Sequence, residues 1–194
     1  EVPLDAVLAQ AASAIPGDGW AQARAGADAF VRERVRYALE QRGFPIEVAR
    51  AATSVGDVRP LRARRIAEAL RAMRSSEDFL ALAVLFKRLK NIAKELKEDV
   101  PLDRPALAEP AEQALLAELD TRRPRVEQAA AAHDYKKALA EIGALRAPVD
   151  RFFTDVFVMV DDARLRTARL KLMAELRDLI LDLADISEIV PQAE

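Results

Sequence analysis

Apolar residues recur three and four positions apart along almost the whole chain, and strict apolar–polar alternation is nearly absent. That spacing predicts helices packed on one another and no sheet. Leu4 to Ile15 forms a first amphipathic helix, ended by Pro16-Gly17-Asp18-Gly19. A long second helix runs from Trp20 to Arg42, with Phe30, Val35 and Leu39 among its apolar residues and Gly43 as its stop. Pro45 to Val55 gives a short third helix closed by Gly56. Pro60 opens a fourth to about Arg74, at a first-turn position where a missing N–H costs nothing.

Ser75 or Ser76 caps the fifth helix, and Glu77 and Asp78 lie in its electropositive first turn. Its apolar stripe is Phe79, Leu82, Phe86, Leu89, Ala93 and Leu96. Asp99 to Pro110, with Pro101, Pro105 and Pro110, reads as a linker or an elbow. Helix resumes at Ala111 and is expected to kink or break at Pro124, which lacks an N–H and crowds the preceding turn. Asp134 caps a helix from Tyr135 to Leu145, and Pro148 opens an aromatic-rich one through Phe152, Phe153, Val156 and Phe157. The last helix starts after Asp161-Asp162, carries Leu165, Leu172, Leu176, Leu179 and Leu183 near heptad spacing, and ends near Asp185. No repeat of fixed period appears, which argues against a solenoid. The expected fold is all-α: a helical bundle in two parts, a subdomain over 1–74 and a second domain over 75–194, divided at Ser75-Ser76.

Composition supports helix, because Ala, Leu and Arg dominate while only 6 glycines occur. The 194 residues suffice for one sizeable core or two small ones. No apolar run is long enough to span a membrane. With 0 cysteines, disulfides, zinc–thiolate clusters and thiol catalysis are excluded, and a reducing, cytoplasmic compartment is compatible. The start, Glu1-Val2-Pro3, has neither a secretory signal nor an initiator methionine and reads as part of a longer polypeptide.

Net charge is −2, but its distribution is uneven. From Arg59 to Lys97, 11 basic residues stand against 4 acidic ones; from Glu98 to Asp120, 7 acidic residues stand against Arg104 alone. Two readings follow: a basic face aimed at a polyanion, or oppositely charged helices that pair with each other.

Catalytic chemistry finds little support. There is no GxxxxGK[ST] or GxGxxG phosphate loop, and His133 has no second histidine with which to hold a metal. Ser13, Ser54, Ser75, Ser76 and Ser187 lack an evident base, and Asp161-Asp162 and Asp182/Asp185 read as a helix start and a solvent face. No catalytic and no metal-binding residue is therefore expected. On the fifth helix, Lys87, Lys90, Lys94 and Lys97 fall in one row beside the apolar stripe, with Arg88 and Asn91 farther round. Arg164, Arg166, Arg169 and Lys171 crowd the first turns of the last helix, where they oppose the helix dipole and an external anion would relieve them. Phe152-Phe153 has the chemistry to stack on bases, though helical spacing favours the core.

A resemblance gives these residues a context. Phe79-Leu80-Ala81-Leu82-Ala83-Val84-Leu85-Phe86-Lys87-Arg88-Leu89-Lys90-Asn91-Ile92 resembles the KRxxNI helix of the bacterial glycyl-tRNA synthetase beta subunit. The likeness continues through Glu109-Pro110-Ala111-Glu112 and is strongest in Leu145-Arg146-Ala147-Pro148-Val149-Asp150-Arg151-Phe152-Phe153. It extends through Val156 to Asp162, Leu165-Arg166-Thr167-Ala168-Arg169-Leu170 and Leu183-Ala184-Asp185-Ile186-Ser187, and upstream to Phe30-Val31-Arg32-Glu33-Arg34-Val35-Arg36 and Gly43-Phe44. It thus covers about Phe30 to Ile189. Ala168 stands where that family usually has asparagine before the arginine, which is closer to arginyl-type anticodon-binding domains.

The resemblance implies a DALR-like anticodon-binding bundle in the C-terminal part. It implies tRNA-Gly as ligand and a separate alpha subunit that activates glycine with ATP and magnesium, in a heterotetramer. It would make this a non-catalytic part of an aminoacyl-tRNA synthetase. Glycine codons begin GG, so every glycine anticodon ends in two cytosines, each offering one donor and two acceptors when splayed out. Arg88 and Asn91 are the candidates for base or sugar contacts, and Lys87, Lys90, Lys94, Arg164, Arg166 and Arg169 for phosphates. Lys87, Arg88 and Asn91 lie on one quoted motif, Arg166 and Arg169 on another, and the others rest on charge alone. The rival expectations are a helical scaffold that meets a protein partner, and a stand-alone enzyme with paired acids in a pocket. One continuous basic groove across the fifth and last helices would favour tRNA, and scattered charges would favour the scaffold.

Overall fold

Several helices begin or end where a local chemical cause stands. A computed structural model describes residues 4–13, 19–56 and 59–190. The helices are α1 (Leu4–Ala12), α2 (Gly19–Glu40), α3 (Ile46–Thr53), α4 (Pro60–Met73), α5 (Glu77–Ala93), α6 (Pro110–Ala131), α7 (Tyr135–Gly143), α8 (Arg146–Asp155) and α9 (Ala163–Leu181), with 3-10 turns at Arg104–Ala106 and Ile186–Ile189. No strand occurs among the described residues. The expected stop at Pro16-Gly17-Asp18 lies outside them. None of the helices is long and apolar enough to cross a membrane.

Gly43 ends α2 in the left-handed region (φ 78°), where a side chain would strain the backbone, and Phe44 N–H donates back to the Leu39 carbonyl at 3.2 Å. The Ser76 hydroxyl caps α5 by accepting from Phe79 N–H, Asp134 caps α7 by accepting from Lys137 N–H, and Asp162 caps α9 by accepting from the N–H groups of Arg164 and Leu165. Two boundaries differ from expectation. Helix α8 starts at Arg146 and stops at Asp155, so Val156 to Val160 is not helical. Helix α6 runs unbroken through Pro124. Leu115, Leu116 and Leu119 before the proline and Val126 and Ala129 after it are all buried, and packing of both halves against α7 and α8 outweighs a proline cost of about 3 kcal/mol.

The buried apolar side chains form one cluster from Leu39 to Ile189, so the core runs continuously past Ser75-Ser76. Helix α5 lies at its centre, against α8, α9 and the 3-10 turn at Ile186–Ile189. Phe79, Leu82, Phe86 and Leu89 are fully buried along its inner face. At about 1.5–3 kcal/mol for each large buried side chain, that stripe fixes which face of α5 turns outward. The Asp99–Pro110 elbow is held rather than loose. Leu107 is buried, Arg104 makes a two-bonded ion pair with Asp120 (2.6 and 2.7 Å), and Leu107 C=O accepts from the Gln113 amide.

Candidate nucleic-acid interface

Burying one face of α5 leaves Val84, Lys87, Arg88 and Asn91 on the other, spaced i, i+3, i+4 and i+7, with Lys94 one turn beyond Lys90 and also exposed. Lys87 makes no ion pair among the described residues. The Arg88 guanidinium sits 4.4 Å from the Phe153 ring centre, a cation–π contact that ties α5 to α8 and leaves its N–H edge unpaired. Lys94 Nζ donates to Asn91 Oδ1 at 3.1 Å, and the Asn91 amide N–H groups make no hydrogen bond among the described residues. Lys97 Nζ lies 3.7 Å from Glu95, with both side chains exposed, and donates to the Lys94 carbonyl at 3.5 Å. This surface is cationic, with one amide for base edges and little internal neutralisation.

Three candidates belong elsewhere, and a fourth, Arg164, is held only by an exposed ion pair. Lys90 donates to Asp185 Oδ2 at 2.6 Å and to Ser187 Oγ at 3.0 Å. Asp185 is buried, and its own N–H donates to the Ala51 carbonyl at 3.0 Å, so Lys90 joins α3, α5 and the C-terminal turn instead of meeting a phosphate. Arg169 is 2% exposed. Its Nε donates to Glu112 at 2.6 Å, its Nη2 to Glu109 at 2.5 Å and its Nη1 to the Phe157 carbonyl at 2.8 Å. A fully engaged buried guanidinium offers nothing to a phosphate. Arg166 donates to the Val160 carbonyl at 2.7 Å and to the Asp161 carbonyl at 3.4 Å, and so fastens the segment before α9. Arg164 pairs with Asp103 at 2.6 Å; this pair is exposed and weak.

The charge segregation resolves accordingly. Four acids of the stretch pair with α9, Asp99 accepting from Lys171 (2.5 Å), Asp103 from Arg164, and Glu109 and Glu112 from Arg169, while Glu118 and Asp120 meet Arg122 and Arg104. Hydrogen bonds from Lys171 and Arg164 hold the carboxyls of Asp99 and Asp103 below the usual aspartate range. The cations of α9 that meet the acidic stretch are thereby neutralised, whereas Lys87, Arg88 and Lys94 on the outer face of α5 make no ion pair among the described residues.

The aromatic residues divide in two. Phe152 is core, while Phe153 is half-buried, edge-on to Phe152 at 5.7 Å and under Arg88. Sequence reasoning missed Phe157, 74% exposed, and Met159, also exposed; Val156 and Val158 between them are buried. The signal was available as a short apolar run in which alternate residues face out once the helix stops.

A shallow cleft of about 440 Å³ between α4 and α9 holds Asp178 and Asp182 beside Arg59 and Arg62. Burial, and then the neighbouring Asp178 carboxylate, push the Asp182 carboxyl above the ordinary aspartate range. Its described lining contains no hydroxyl, thiol or imidazole to act as nucleophile. His133 lies exposed between α6 and α7, and no three metal-ligating side chains converge among the described residues.

Residues 83–191 match the DALR anticodon binding domain. The chain is 41% identical over 165 residues to the glycine–tRNA ligase beta subunit of Acinetobacter baumannii, which covers 84% of this chain and 24% of that subunit. The subunit of Acinetobacter baylyi is also 41% identical, over 164 residues, and that of Pseudomonas aeruginosa is 39% identical over 160 residues, or 81% of this chain and 23% of theirs. The chain thus spans about a quarter of the length of the curated relatives it matches.

Proposed function

Since the chain belongs to the DALR anticodon binding domain family, we propose that it is the tRNA-reading part of a glycine–tRNA ligase beta subunit, and that α5 grips the anticodon arm of tRNA-Gly. The observation that carries this reading is the outward, unneutralised face of α5 within the matched residues: Lys87, Arg88, Asn91 and Lys94. Lys87 and Lys94 neutralise phosphates. Arg88, oriented by its stack on Phe153, donates to the two acceptors of an unstacked cytosine, and the Asn91 amide supplies both donor and acceptor to a base or sugar. Glycine activation, with its ATP and magnesium, belongs in this reading to a separate alpha subunit in a cytoplasmic heterotetramer, and no step of it is assigned to this chain.

Replacing Arg88 or Asn91 with alanine is expected to weaken binding of a tRNA-Gly transcript by about 5- to 100-fold, the range for one lost base contact. The melting temperature of Asn91→Ala should match the parent, and that of Arg88→Ala should fall by less than about 4 °C, because only an exposed cation–π contact is lost. Filter binding and thermal melts of the three proteins check this. Unfolded variants would make both residues structural.

A further inference from the structure

From the geometry of the segment between α8 and α9 we infer that Phe157 is a stacking platform for one unpaired base of the anticodon loop, set in place by Arg169 and Arg166. The inference rests on the tRNA reading above and adds a residue to it. Val156 is extended (φ −118°, ψ 125°), and the next residues alternate: Val156 and Val158 enter the core while Phe157 and Met159 face out. Such an exposed aromatic ordinarily rides on a mobile loop; here its backbone is fixed at two points. The Phe157 carbonyl accepts from Arg169, itself locked by buried Glu112, and the Val160 carbonyl accepts from Arg166 at 2.7 Å. The arginines at the start of α9 thus act on RNA indirectly, as positioning residues.

The occupant follows from what lies alongside. Within the family-matched residues, the large apolar side chains that face solvent are Val84, Phe157 and Met159. Val84 is on the cationic stripe of α5, one turn before Arg88. Phe157 follows Phe153, the ring under Arg88, by four residues, so their Cα atoms lie within about 14 Å. An exposed ring four residues beyond the ring under Arg88 suits a ligand with a flat apolar face and a phosphate backbone. A protein partner would bury apolar area without needing a ring. Stacking an unpaired base on an aromatic face is worth about 5- to 100-fold in affinity and is largely independent of base identity.

The test uses the 194-residue chain and a tRNA-Gly transcript, with Phe157→Ala, Phe157→Leu and Phe157→Trp. All three should fold, since the side chain packs against nothing that the core needs. The expected result is that alanine and leucine each weaken binding about 5- to 100-fold, while tryptophan binds as the parent does. Fluorescence of Phe157→Trp should also fall on tRNA addition beyond any change in the parent, whose single tryptophan is Trp20. Parent-like affinity for Phe157→Ala would overturn the inference and leave the tRNA reading standing. So would parent-like affinity for Phe157→Leu, which marks apolar contact without stacking. Failure of the parent itself to bind would overturn the tRNA reading and this inference with it.

Discussion

Replacing Arg169 with methionine should lower the unfolding free energy by about 3–5 kcal/mol, the cost of stranding a buried charge. The stranded group is Glu112, fully buried, whose carboxylate would keep only the Glu109 N–H at 2.8 Å. Methionine fills much of the arginine volume, so the loss reports charge more than cavity. A companion change separates the two. Glutamine at position 112 removes the charge yet still accepts from Glu109 N–H, as the capping box at the start of α6 requires. The double variant Arg169→Met, Glu112→Gln should therefore recover at least half of the loss. Urea unfolding of the parent and both variants measures it. Equal stability of parent and single variant would show that Arg169 is not the joint its contacts describe.

The second large effect is on binding. Four exposed cations of α5 and its last turn, Lys87, Arg88, Lys94 and Lys97, are neutralised by little else in the fold. If each meets one phosphate, the logarithm of the tRNA affinity falls with that of salt with a slope of about −2.8 to −3.6, or about 50- to 150-fold between 50 and 200 mM. Replacing Lys87 and Lys94 together with alanine should reduce the slope by about 2. The weakly paired Arg164 would add at most one further unit, and its alanine variant isolates that share. A salt-independent affinity would mean that the cationic face of α5 does not touch phosphate.

What the sequence made legible was local. Caps, glycine stops and the three-and-four spacing of Phe79 to Ala93 lie within a few residues of the structure they determine, so the helices of the bundle and the outward face of α5 could be read directly. Pro124 was misread because its cost is local while the packing that overrides it, on α7 and α8, is not. Partners of charges are nonlocal too: Lys90 and Asp185 are 95 positions apart, and Arg169 and Glu112 are 57 apart. One signal was overlooked. Arg169 falls four residues after Leu165 and three before Leu172, inside the apolar seam of α9, where a long cation stays only if a buried acid meets it. Reading that position would have moved Arg169 from the phosphate contacts to the core and turned attention to the loop it holds.

The most direct measurement is a competition at fixed salt between tRNA-Gly and two versions of it, each with one of the two anticodon cytosines replaced, for the 194-residue chain. Base reading by Arg88 and Asn91 predicts that each replacement weakens binding, by about 5- to 100-fold where a hydrogen-bonded cytosine is lost. Equal binding of both altered tRNAs and of a non-cognate tRNA would contradict it, leaving α5 a cationic surface that holds RNA without choosing it.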